Sequence, residues 1–265
     1  MPSSQFDLCS LGTVKMSIAY RSSEVPAVLI EPTSRRIRLK LGDQFIADST
    51  EAVVIYENGV RPTYYLPKSD FVGGTLAATA KSEPAPLFGA KTFWSLQSEG
   101  VSLPDKVWSY DGAKLGIPEL GDYVTVDWRS VRWFEEDQEI FGHPRNVYHR
   151  VDTLPSSRLV EVIVDGKPVA RTRRAIFLFE TGMIARYYFP VDDLVAGTLV
   201  PSDYTTYCPY KGAASYYHFD LGGKRHENIV WYYSEPFPES SKIKGLISFY
   251  NEKIDEIRVS NGGAA

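Results

Sequence analysis

Only two cysteines, Cys9 and Cys208, occur in 265 residues, too few for a disulfide framework and too few for a structural zinc site without other ligand types. A reducing compartment, the cytoplasm, is the expectation. Histidine is scarce as well, four in all, and neither an i,i+4 His pair nor a Cys-x-x-Cys spacing occurs. No metal is therefore expected, and no motif calls for a cofactor. No apolar run approaches the ~18 uninterrupted residues a bilayer span needs, and residues 1–10 lack the basic and apolar regions of a secretion signal. That excludes a membrane partner. Basic stripes are missing too: 29 Lys and Arg stand against 33 Asp and Glu, for a net charge of −4. Neutralising a phosphate backbone takes clustered cations, so nucleic acid is not an expected partner. Arg171, Arg173 and Arg174 form the one tight basic group, which a solvated strand end explains. No feature assigns an oligomeric state.

Sustained helical periodicity is also absent. What is present is strand signal, short runs of β-branched and aromatic residues broken by Gly or Pro about every ten residues. Residues 160–164 (Val-Glu-Val-Ile-Val) lead into Asp165-Gly166, a hairpin dipeptide. Residues 175–180 read as a buried strand, residues 191–194 as a single helical turn, and 214–220, 228–233 and 245–250 as three more strands.

The chain repeats itself. Residues 41–110 align without a gap on residues 164–233, and nineteen of the seventy pairs are identical, against roughly four expected from average usage. Glu57/Glu180, Tyr64-Tyr65/Tyr187-Tyr188, Gly89/Gly212 and Trp108/Trp231 are among them. The expected fold is mainly β, two tandem copies of a small antiparallel β domain. Residues 1–132 form the first repeat with its N-terminal extension, 133–158 a linker, 159–260 the second repeat and 261–265 a flexible tail.

Shared residues read as scaffold, so polar residues found in one copy are the candidates for function. Copy two has Arg186, Tyr207, Cys208, Tyr210, Lys211 and His218 where copy one has Thr63, Pro84, Ala85, Leu87, Phe88 and Ser95. Residues 201–212 are dense in hydroxyls and phenols and read as a loop beside a pocket. Arg186 suits a carboxylate or phosphate, or else stacks on Tyr or pairs with Glu180. Lys211, before two small residues, suits an anion. The expected ligand site comprises Arg186, Tyr188, Tyr207, Tyr210, Lys211 and Tyr217, with Cys208, Lys211 and His218 as candidates for chemistry. Trp231, matched by Trp108, reads as core. Asp192, Asp193 and Asp203 lack the Gly-rich cradle that phosphoryl transfer needs.

The runs Glu180-Thr181-Gly182, Arg186-Tyr187-Tyr188-Phe189-Pro190, Cys208-Pro209-Tyr210-Lys211-Gly212 and Trp231-Tyr232 resemble the family called domain of unknown function 427. Copy one resembles it in outline but departs from it throughout the Cys-Pro-Tyr-Lys-Gly motif. The resemblance implies a fold similar to the β-tent, two small sheets meeting at an angle. It brings no catalytic assignment, and the nucleotidyltransferase label the family sometimes carries finds no support in these residues. The expected function is small-molecule binding, the ligand anionic or heteroaromatic, with an enzyme using Tyr, Lys, His or Cys of the same pocket as the alternative.

Overall fold

The computed structural model describes residues 28–98 and 100–261; Cys9, most of the expected N-terminal extension and residues 262–265 of the expected tail lie outside them. Copy one contributes β1 (Val28–Pro32), β2 (Ile37–Leu41), β3 (Gln44–Ser49), β4 (Val53–Glu57), β5 (Thr63–Pro67), β6 (Leu76–Ala85), β7 (Gly89–Ser98), β8 (Val101–Tyr110), β9 (Tyr123–Val126), β10 (Arg132–Glu135) and β11 (Gln138–Ile140). Copy two contributes β12 (Val151–Ser156), β13 (Leu159–Val164), β14 (Lys167–Thr172), β15 (Ala175–Glu180), β16 (Arg186–Tyr188), β17 (Thr198–Cys208), β18 (Gly212–Leu221), β19 (Lys224–Tyr232), β20 (Ile247–Phe249) and β21 (Glu256–Ser260). The helical segments among the described residues are short 3-10 turns.

The two copies repeat one topology. Copy one has a sheet in the order β1-β4-β5-β9-β8-β7-β6. Copy two has β12-β15-β16 and β17-β18-β19-β20, joined by a bridge between Phe189 and Ile247, which restores the same order. A second, smaller sheet packs on each: β11-β10-β2-β3 in copy one and β21-β13-β14 in copy two. The β13–β14 hairpin turns at Asp165 and Gly166, both at positive φ (49° and 71°), as a tight hairpin turn requires.

Each long sheet is apolar on both faces. One face meets the smaller sheet: Ile37, Leu39, Val54, Tyr64, Leu66, Val124 and Trp133 fill that core in copy one, and Val160, Val162, Phe177, Phe189, Phe219, Ile247 and Phe249 fill it in copy two. The other face carries a smaller core, Ile55, Tyr65, Ala85, Phe88 and Leu120 in copy one; Leu178, Tyr188, Trp231, Tyr233 and Ile243 build it in copy two. In both, a tryptophan indole N–H donates to a tyrosine hydroxyl: Trp108 to Tyr65 at 3.1 Å and Trp231 to Tyr188 at 2.9 Å. Tyr188→Phe removes a buried acceptor and strands that donor, so it is expected to lower the stability of copy two by about 1–3 kcal/mol, measurable by urea unfolding.

Two expectations need correction. The linker is not 133–158: β10 pairs with β2, and β12 pairs with β15, so both ends of that segment are sheet and only residues 141–150 connect the copies. Trp133 is core at 1% exposure; strands this short carry too few residues to show a period. Residues 201–212 are not a loop. They form the outer strand β17 and a turn closed by Lys211 N–H donating to Cys208 C=O at 3.3 Å. An edge strand tolerates polar side chains on its solvent face, which is why its composition looks loop-like.

Candidate functional site

Register places the chemistry of copy two. Leu178 pairs with Arg186 and Ile176 with Tyr188, so Ile176, Leu178, Glu180, Arg186 and Tyr188 share one face of the sheet. Thr206 pairs with Ala214, Cys208 with Gly212, and Tyr216 with Trp231, which carries the same face across β17 to β19. Cys208 therefore stands on the small core's face where copy one has Ala85, and Lys211 in the adjoining turn takes the place of Phe88. Copy one fills that place with hydrocarbon, Phe88 stacked on Tyr110 at 4.1 Å between ring centres. Copy two puts an amino group there.

Lys211, at 8% exposure, donates a short charge-assisted hydrogen bond to Glu180 Oε2. The other carboxylate oxygen, Oε1, lies 3.0 Å from His149 Nε2. An ionised carboxylate only accepts, so Nε2 carries the hydrogen of this bond. His149 stacks on Tyr210 with ring centres 4.1 Å apart, and the Tyr210 hydroxyl accepts from Asn146 N–H at 2.8 Å. Burial alone pushes the Glu180 carboxyl up. The Lys211 charge and the hydrogen bonds from Lys211 and His149 outweigh it and hold the group below the usual carboxylate range. In copy one, burial raises Glu57 with no opposing cation. The phenols of Tyr188, Tyr210 and Tyr233 are all pushed up, chiefly by burial, and the negative charge of Glu180 adds to it.

His149 and Tyr210 form part of the wall of a cleft of about 400 Å³ between the copies, with Arg35, Arg145, Arg150 and Glu239 around it. A second hollow of about 530 Å³ shares Arg35, Arg145 and Val147 and extends over Tyr56, Tyr64 and Tyr148 of copy one and the connector. Arg35 holds Glu135 at 3.0 Å; Arg145 reaches Pro209 C=O at 2.6 Å and Glu239 at 3.2 Å. A third hollow, about 500 Å³, lies within copy one against Gly73, Gly74, Gln97 and Ser98 and is lined by no charged side chain.

The residues expected to form one site are divided. Arg186, Tyr188, Cys208 and Lys211 share the face just described. Arg186 is held there by Glu252 at 2.6 Å and Asn251 at 3.0 Å, over the Trp231 ring at 5.6 Å. Its carboxylate partner is thus Glu252, and Glu180 belongs to Lys211. Tyr188 is core, at 1% exposure. Tyr207 points to the other side of β17, edge-on to Phe141 of the connector at 5.0 Å. Tyr217 stacks on Tyr232 at 4.9 Å against the main core. His218 sits at the bulge of β18, accepting from Asn228 N–H at 3.4 Å. The described cavities reach copy two through Tyr210 and Tyr207, not through Arg186, Tyr188 or Lys211. Glu180 reads from sequence as shared scaffold or as a partner of Arg186 because both copies have it, and His149 gives no signal because it lies in the connector, outside the repeat. Asp193 is taken by Arg174 at 2.7 Å, and no cluster of three metal-ligating side chains occurs among the described residues. Nor is any helix among the described residues long and apolar enough to cross a membrane.

Fold and site together define a tandem antiparallel β protein in which one copy of a shared small core has been made polar. The family model described as Domain of unknown function (DUF427) matches the chain twice, over residues 29–137 and 152–260, the same displacement as the internal repeat. The chain belongs to that family, as a tandem duplication. No curated protein matches it.

Proposed function

We propose that this chain is a small-molecule-binding module whose ligand, a small anion or heteroaromatic acid, sits in the cleft between the copies against His149 and Tyr210. The observation that carries this reading is the buried Lys211–Glu180–His149 relay behind the cleft wall, with Lys211 set where copy one stacks Phe88 on Tyr110. A relay of this kind fixes the orientation of the imidazole ring, while Tyr210 and His149 offer a flat aromatic edge. Arg35 and Arg145 supply charge from the two sides. The volume suits a metabolite-sized guest. We read each copy's pair of sheets as the β-tent that the family resemblance implies, and the unpaired thiol of Cys208 suits a cytoplasmic protein.

Calorimetry against a panel of heteroaromatic carboxylates and small phosphates tests the reading. At least one is expected to bind, and His149→Ala and Tyr210→Ala are each expected to weaken it about tenfold or more, the loss of roughly 1.4 kcal/mol of contact. His218→Ala and Tyr217→Phe are expected to leave it unchanged. Binding that depends on His218 and not on His149 would overturn the site. An enzyme acting on the same guest is the second reading, favoured by the His149–Glu180 hydrogen bond, which has the form of an acid–base pair. A mass change in the bound compound separates the two.

A further inference from the structure

The two copies differ at one sheet edge. In copy one the small sheet has four strands, β11-β10-β2-β3; in copy two it has three, β21-β13-β14, and nothing among the described residues takes the place of β11. Trp133 pairs with Leu39 and Ile257 with Val162, and Leu39 and Val162 are repeat equivalents. By register, then, Ile257 stands where Trp133 does, Arg258 where Phe134 does and Val259 where Glu135 does. In copy one, where β11 closes that edge, Trp133 and Tyr64 are at 1% exposure. Their counterparts Ile257 and Tyr187, and Val259 beside them, remain half-buried at the rim of the main core of copy two. A free strand edge over an unfinished core is a template for another strand.

We infer that this edge pairs with β21 of a second copy of the chain, antiparallel about a two-fold axis through Ile257. The strand β11 shows what fits. Opposite Trp133 it places Ile140, and opposite Phe134 it places Glu139. A second β21 in the same register places its Ile257 opposite Ile257 and its Glu256 opposite Arg258. The segment Asp255-Glu256-Ile257 thereby repeats Gln138-Glu139-Ile140 in type and in position. Symmetry makes the Glu256 to Arg258 pairing occur twice, on the exposed side of the strand, where the two residues pair with each other at 2.8 Å. Any register centred on Arg258 sets two guanidinium groups face to face and is disfavoured. The isologous contact joins the two small sheets into one.

Sedimentation velocity of the full chain across a concentration series tests this. A species of twice the chain mass is expected. Arg258→Glu and Glu256→Arg, each setting like charges opposite one another at two places, are each expected to weaken the dimer by at least tenfold. The double variant, which exchanges the charges, is expected to restore it. Circular dichroism keeps a folding failure apart, since both side chains are exposed and a surface pair contributes little to the fold. A chain that is monomeric throughout, a dimer indifferent to the single reversals, or a double variant no better than the singles would each overturn the inference.

Discussion

Replacing Lys211 with Met is expected to destabilise copy two by about 3 kcal/mol or more, because it leaves the Glu180 carboxylate buried with only His149 to stabilise its charge. The dependence on pH gives the effect a distinctive sign. In the wild type the folded Glu180 group titrates below its unfolded value. Its contribution is therefore fully present above the ordinary carboxylate range and is lost as pH falls through the lower folded value. Without the Lys211 charge, burial is the dominant influence and raises the group above its unfolded value. The variant should then gain stability as the medium is acidified through the carboxylate range, and the gap to wild type should be widest near neutral pH. Adding Glu180→Gln removes the buried charge and should recover most of the loss. Urea unfolding at pH 4 and pH 7, with hydrogen exchange to assign the change to copy two, checks this. An equal deficit at both pH values would mean that Lys211 acts through packing alone.

The second large effect is expected at Gly197. It has a positive φ of 83°, and a Cβ built there would lie 2.2 to 2.9 Å from three ring atoms of Phe219, a side chain fully enclosed in the main core. Neither the backbone nor the ring has room to yield. Gly197→Ala should cost about 3 kcal/mol, from left-handed strain together with overpacking. Gly74 is its repeat equivalent, with nearly the same φ, 81°, but a Cβ added there would meet nothing within 4 Å. Gly74→Ala should therefore cost about 1 kcal/mol, the strain alone. Paired melts of the two variants separate space from backbone. Equal costs would contradict the packing described at Phe219.

The repeat made most of the architecture legible, since a gapless alignment forces both halves onto one topology. Strand existence also followed from composition, and the Asp165-Gly166 turn from its own chemistry. The edges were harder. β10 and β12 hide inside a stretch that reads as linker because four and six residues carry too little period, and β17 reads as loop because its solvent face is polar. For the site, the contrast between copies points to Lys211 and Cys208 as candidates beside a pocket, and the structure puts both at the face of the small core. The same contrast passes over Glu180, which is common to both copies while its surroundings are not: Lys211 and His149 hold it in copy two, and burial alone raises Glu57 in copy one. Tyr217 and His218 were grouped with Lys211 by nearness in sequence, but the alternation of β18 and its bulge turn them away. Arg35 and Arg145 come from copy one and the connector, so no inspection of the second repeat by itself could find them.

Joint binding of a ligand by copy two and the connector, at His149 and Tyr210, is tested most directly by native mass spectrometry of the intact chain after exposure to a defined mixture of small phosphates, carboxylates and heteroaromatic acids. One retained compound is expected in the wild type, lost in His149→Ala and in Tyr210→Ala and kept in His218→Ala. A compound retained equally by all three variants, or none retained by the wild type, would contradict it.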